Sequence, residues 1–363
     1  MIKIINSTEL LEKLNNLLIS YNSFINEVIA KGTEEFYKKF YISKRGGGYR
    51  LIEAPENDTL KALQKKINYI LSKELIFSDC VTGFVKKRSI KTNAQIHLGA
   101  AVIINIDLID FFNSIKKDFI YSTLISHPFN FPEKLSNILS VIATKKDYLP
   151  QGSPLSPMLS NIVANKLDRS LSEFCVRKNI KYSRYADDMS FSVMKGRIEE
   201  EELTKIRLEI EKSGFQINEK KYKIKRKTQC LAVTGIIVNN KLNVRRIYIK
   251  NIKAALHNWD MAGTKKRINL NSLRGKIEYV GMVRGKDDYI YNKFLSKFND
   301  LKNTSEKSLS TSKNNAITTS PDEFDKILYG ESTKFSVEDF GKLPDGDTTK
   351  FSEEDLDKLL GRF

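Results

Sequence analysis

Two adjacent acids, Asp187 and Asp188, interrupt a strand-forming run from Tyr182 to Val193, and a second apolar run, Ala100 to Leu108, reaches an acid at Asp107. Carboxylates set so close to buried strands cost several kcal/mol unless a cation compensates them. A fold that keeps them must bring positive charge to the same place. Hard oxygen donors of this kind suit Mg²⁺, which retains water and takes its remaining ligands from phosphates. Two such ions about 4 Å apart would clamp the attacking and leaving oxygens of a phosphoryl transfer. An Asp-Asp pair by itself fits a solvated turn equally well, so the pattern gains force only from what surrounds it.

The chain has 363 residues, with 61 Lys+Arg against 44 Asp+Glu and a formal net charge of +17. Its 40% hydrophobic content is enough for a buried core, which excludes a wholly disordered polymer and a small disulfide scaffold. Cys80, Cys175 and Cys230 are odd in number and far apart, so they form neither a zinc pattern nor a disulfide framework. No apolar run approaches the roughly 20 residues of a membrane span, and Met1 to Asn6 lacks the cleavage region of a signal peptide. The expectation is a cytoplasmic protein with no membrane partner. Charge is unevenly spread: residues 321–363 hold 12 acidic and 6 basic residues, leaving 55 basic and 32 acidic in the first 320. A body that basic points to a polyanion, nucleic acid first.

Periodicity predicts one amphipathic helix over Thr8 to Ala30, from Leu10, Leu14, Leu17, Leu18, Tyr21, Ile25 and Val28. Lys44 to Ile52, with Gly46, Gly47 and Gly48, predicts a hairpin with a basic rim. Further helices are expected over Thr59 to Leu75 and from Ser156, read as an N-cap before Pro157. Alternation of helix and strand predicts a mixed α/β (α+β) body. From Asn303 to Ser320 the composition turns to Ser, Thr, Asn and Lys and reads as a flexible linker. Beyond it, three acidic repeats of 16 residues start at Ser320, Ser336 and Ser352. Their apolar anchors are Phe324, Ile327 and Leu328, then Phe340 and Leu343, then Leu356 and Leu359. The repeats read either as a solvated acidic tail or as tandem motifs that fold on a partner.

Tyr185-Ala186-Asp187-Asp188, preceded by Asp107 to Phe112 and then by Leu149 to Pro154, resembles the palm of a reverse transcriptase. Asn93-Ala94-Gln95-Ile96-His97 and Val233-Thr234-Gly235 narrow the resemblance to bacterial retron reverse transcriptases. It covers roughly Tyr41 to Phe298 and leaves out the acidic repeats. The resemblance implies a right-hand polymerase: fingers over residues 1–98, palm over 99–240, thumb over 241–302, then linker 303–320 and tail 321–363. It implies that Asp107, Asp187 and Asp188 hold two Mg²⁺ ions with the Leu108 carbonyl, Asp188 being the least direct because neighbouring strand residues point apart. Phe112 stands where the family has its steric gate against a 2′-hydroxyl. Gln151 and Gly152 would line the nucleotide, and Lys44, Arg45 and Arg50 would contact its triphosphate. Asn93, His97, Lys221, Lys223, Val233, Thr234 and Gly235 are expected at the RNA or primer–template, with Tyr222 the ring inside a basic run. Asp110 is left out of the site. The implied partners are dNTPs, a cognate noncoding RNA serving as template and primer, and the resulting branched multicopy single-stranded DNA. An antiphage setting and an effector protein contacted by the repeats complete the expectation. Other bacterial reverse transcriptases, of diversity-generating or abortive-infection type, and a catalytically silent RNA-binding scaffold are the alternatives.

Overall fold

The computed structural model describes residues 2–44, 47–262 and 269–314. Arg45 and the acidic repeats, with Phe324, Ile327, Leu328, Phe340, Leu343, Leu356 and Leu359, lie outside the described residues. The chain divides into two compact units, one ending at Asn243 and one beginning at Val244.

The first unit opens with β1 (Lys3–Ile4), α1 (Ser7–Ser20), α2 (Asn22–Lys31), β2 (Tyr37–Ser43), β3 (Tyr49–Pro55), α3 (Asp58–Glu74) and β4 (Leu75–Ile76). Next come α4 (Ile90–Ile96), β5 (Val102–Asp107), α5 (Phe111–Ser114), α6 (Lys117–Ile125), α7 (Glu133–Ala143), α8 (Ser156–Val163) and α9 (Asn165–Arg177). It closes with β6 (Lys181–Tyr185), β7 (Asp188–Val193), α10 (Glu200–Lys212), β8 (Lys223–Arg226), β9 (Ala232–Val233) and β10 (Ile236–Ile237).

The first helical run is two helices, not one. Tyr21, at φ −112° and ψ 14°, leaves helical geometry, so α1 buries Leu10, Leu14 and Leu18 while α2 restarts to bury Ile25 and Val28. Asn6 and Asn57 cap α1 and α3 by accepting from the Glu9 and Leu60 amides. Ser156 is the first residue of α8 rather than its cap, and its hydroxyl donates to the Pro150 carbonyl.

Four strands form an antiparallel sheet in the order β6-β7-β5-β8. Strand alternation sorts the two faces. Ile104 and Ile106 of β5 pair with Phe191 and Met189 of β7, and all four enter the main core. The opposite face carries Asn105 against Ser190 and Asp107 against Asp188. The β2–β3 hairpin is a separate two-stranded sheet whose pairs run from Tyr37–Pro55 to Ser43–Tyr49.

The second unit holds α11 (Arg246–Ala262), α12 (Leu270–Arg284) and α13 (Tyr289–Asn314). Trp259 and Phe298 meet edge to face at 5.5 Å in its interior. Gly281 has no side chain because the Tyr291 ring lies 2.6 Å from where a Cβ would stand. Helix α13 continues to Asn314, through most of the stretch whose composition reads as a linker. Among the described residues no helix is long and apolar enough to cross a membrane.

Candidate active site

The β5–β7 register places the Asp107 backbone opposite Asp188, so the two acids share the polar face of the sheet. Asp187 occupies the two-residue turn between β6 and β7, and its carbonyl accepts from the Leu108 amide at 3.0 Å. Asp188, expected to be the least direct ligand, is the acid whose backbone stands across from Asp107, while Asp187 lies outside both strands. Leu108 buries its side chain, while its carbonyl accepts no backbone hydrogen bond among the described residues.

Burial and the negative charge of Asp107 raise the Asp187 pKa. Burial, then Asp187 and Asp107, raise that of Asp188 to about 7. Three carboxylates in one half-buried place want a positive charge, and the structure supplies one: the Lys221 ammonium lies 2.9 Å from both Asp107 oxygens. Lys221, expected at the primer–template, is thus paired with an acid of the site. As the side chains stand, no three His, Cys, Asp or Glu groups among the described residues are arranged to hold a metal. The donor set nevertheless fits a divalent cation. It offers hard oxygens, the Leu108 carbonyl, two carboxylates, Asp187 and Asp188, whose proton affinity is raised by burial and then by the neighbouring acids, and an ammonium already serving as counter-charge.

Cations reach the acids from two sides. Arg50 on β3 and Lys221 both act to lower the Asp187 pKa, and Lys221 and Lys223 do the same for Asp188. Lys44 is exposed at the hairpin turn, where its amide donates to the Gly48 carbonyl at 3.0 Å. The Glu53 amide of β3 donates to the Gln151 carbonyl at 2.8 Å. Gly152, at φ +133°, would place a Cβ 2.9 Å from the Glu53 carbonyl. Only glycine permits that approach. The hairpin and the Gln151-Gly152 loop are therefore one assembly. Phe112 packs beside Phe111, with ring centroids 5.5 Å apart.

Other expectations are corrected by burial. Asn93, His97 and Val233 are inaccessible to solvent, so their side chains cannot touch RNA. Instead the Ser183 hydroxyl donates to Asn93, which leaves His97 Nε2 to donate to Ser183 at 2.7 Å and Nδ1 to accept from Ser192 at 2.7 Å. The Asn93 amide reaches the Thr234 hydroxyl at 3.5 Å, and that hydroxyl donates to the Ile90 carbonyl at 3.2 Å. Asn93 and His97, with Thr234 tied to them, thus brace the polar face of the β6–β7 hairpin, the face that also carries Asp188. Gly235 stays exposed at φ +86°. Tyr222 lies against the Arg207 guanidinium at 4.5 Å and packs on the core rather than offering a free ring. Asp110, left out of the site, is exposed.

Sequence reading missed the buried ions. Arg184 is fully buried and grips Asp168 with Nε at 2.8 Å and Nη2 at 2.6 Å. Its Nη1 donates to Asn161 and to the Ala186 carbonyl, both at 3.1 Å. Ala186 needs that hold, because its φ of +55° is left-handed and unfavourable for a residue with a Cβ. Glu53 is likewise buried, against Lys145 and the Tyr148 hydroxyl. The only signal for either network was a charged residue inside an apolar run.

Acids gathered at strand ends, with cations arriving from a hairpin, define a site suited to phosphoryl transfer on a polyanion. The sequence pattern of the reverse transcriptase family (RNA-dependent DNA polymerase) matches residues 42–238. Retron Ec83 reverse transcriptase of Escherichia coli is 30% identical over 67% of this chain and 81% of its own. Retron Ec73 reverse transcriptase of the same organism is 32% identical over 72% and 86%. Retron Mx65 reverse transcriptase of Myxococcus xanthus is 32% identical, the match spanning 68% of this chain and 61% of that one. The chain belongs to the reverse transcriptases, RNA-dependent DNA polymerases, and within them to the retron reverse transcriptases. Among solved structures, telomerase from Candida albicans has a TM-score of 0.42 at 11% identity, covering 79% of this chain and 63% of that one.

Proposed function

We propose that this chain copies a cognate noncoding RNA into DNA from dNTPs, with Asp107, Asp187 and Asp188 as the catalytic acids. What supports the reading is the register that sets Asp107 across from Asp188 with Asp187 at the adjoining turn. On this reading residues 1–98 are fingers, 99–240 palm and 241–302 thumb. The three acids and the Leu108 carbonyl would hold two Mg²⁺ ions, which when bound neutralise phosphate charge and orient the reacting oxygens. The protein's own groups do the rest. Arg50, with Lys44 and Arg45, meets the triphosphate, where a guanidinium matches phosphate oxygens in pairs. Gln151 and Gly152 line the nucleotide. Phe112 excludes a 2′-hydroxyl. Lys221, exposed and flexible, can leave Asp107 for phosphate as charge balance changes.

Retron membership supports the finer reading: the same RNA as template and primer, a 2′-hydroxyl start, and branched multicopy single-stranded DNA made in the cytoplasm for antiphage defence. We assign the acidic repeats to contact with an effector protein. Asp187→Asn should abolish DNA synthesis and leave RNA binding intact. Complementary DNA made by that variant would overturn the site assignment, and an unbranched product from the wild type would overturn the retron reading.

A further inference from the structure

Phe84 has no place in the chemistry above, yet it is the least expected residue near it. It is a large apolar side chain left 43% exposed. Its backbone is left-handed at φ +59°, which is an outlier for a bulky residue. Such conformations persist only where the surroundings impose them, and they cluster at working sites.

The surroundings here are the acid-bearing hairpin. The Thr82 amide and hydroxyl donate to the Arg184 carbonyl at 2.8 and 3.0 Å, and the Arg184 amide donates to the Cys80 carbonyl at 2.7 Å. Asn161 donates to the Gly83 carbonyl at 2.9 Å, and a Cβ on Gly83 would stand 2.6 Å from the Ala186 nitrogen. The segment from Cys80 to Phe84 is thereby clamped to the β6–β7 turn. It delivers one ring, whose centroid lies 6.1 Å from Phe112 and 6.4 Å from Tyr185. Phe112 is backed on another side by the buried Phe111 at 5.5 Å. Two rings therefore fix its orientation, one from the core and one from a loop tied to the catalytic acids.

We propose that Phe84 is a positioning residue for the sugar gate, holding the Phe112 ring at the angle that refuses a ribonucleotide. The proposal rests on the reading of Phe112 as that gate. Loss of one aromatic neighbour should cost roughly three- to tenfold in discrimination.

The test compares kcat/KM for a dNTP with that for the matching rNTP on one RNA template–primer. Phe84→Gly removes the ring while suiting the left-handed backbone, Phe84→Tyr keeps it, and Phe112→Ala removes the gate. Phe84→Gly is expected to lower the dNTP-to-rNTP ratio, chiefly through a lower KM for the rNTP. Phe84→Tyr should restore the ratio, and adding Phe84→Gly to Phe112→Ala should change it no further. An unchanged ratio in Phe84→Gly beside a reduced one in Phe112→Ala would overturn the proposal and leave the gate standing. So would an additive loss in the double variant. An unchanged ratio in Phe112→Ala would instead overturn the gate itself, and the proposal with it.

Discussion

Arg184 is a cation with no access to water, two residues before the turn that carries Asp187. Asp168 meets it with both oxygens, and Tyr182 donates to the same carboxylate at 2.8 Å. Removing one partner of such a pair leaves a buried charge uncompensated and costs about 3–5 kcal/mol. Asp168→Ala should therefore lower unfolding stability by that order in urea titrations. DNA synthesis should fall with it, since Arg184 also holds the Ala186 carbonyl. A loss under about 1 kcal/mol would mean that the pair contributes far less than its burial implies. His97 makes a second prediction. Burial, and then the charge of Lys181, hold its pKa at about 3 against an ordinary 6.5. Below pH 6.5 the unfolded chain gains a proton that the folded ring refuses, so this contribution is complete above 6.5 and lost as pH falls toward 3. Each pH unit in that window is worth up to about 1.4 kcal/mol. Urea midpoints of the wild type should drop more steeply between pH 6.5 and 5 than those of His97→Gln, and parallel profiles would contradict the assignment.

The elements that carry the acids were legible because they are local. Strand β5 and the β6–β7 hairpin announce themselves by apolar runs that end in or flank the acids, and β2–β3 by its glycines. What joins them is not local. The Glu53–Lys145 pair spans 92 residues and the His97–Ser183 bond 86, and no periodicity connects such positions. The motifs around Asn93 and Val233 were noticed but assigned to RNA. A seven-residue helix such as α4 is too short for its pattern to say which face is buried. The joint between segment 80–84 and the hairpin was equally invisible, and it is testable. Gly83→Ala would force its methyl into the Ala186 backbone, so the turn must shift. Displacement of catalytic groups by about 1 Å costs on the order of 100-fold in rate. Gly83→Ala should thus reduce DNA synthesis by roughly 10- to 100-fold while RNA binding persists. Activity near wild type would show that the contact is slack.

At the scale of the whole molecule the governing quantity is charge. The first 320 residues carry a net +23 and the rest a net −6. Nucleic-acid affinity of such a body comes mainly from displaced counterions, so it should fall steeply with salt, log K declining by about 0.7 per phosphate neutralised on a single strand for each tenfold rise in salt. The acidic repeats bear the same sign as the RNA and sit on the same chain. Whatever partner they serve, they add repulsion within a Debye length, about 10 Å at 0.1 M salt. Deleting residues 321–363 removes that repulsion together with 12 acids and 6 bases. The shortened protein should bind an unrelated single-stranded RNA more tightly than the full chain at low salt, and the two should converge as salt is raised. Its DNA synthesis on the cognate RNA should persist, because every acid and cation assigned to the site lies before residue 225. Binding curves across a salt series, run beside primer extension for both proteins, separate the possibilities. Equal affinities at low salt would show that the tail's charge does not reach the RNA. Loss of extension would place the repeats inside the catalytic machinery rather than beside it.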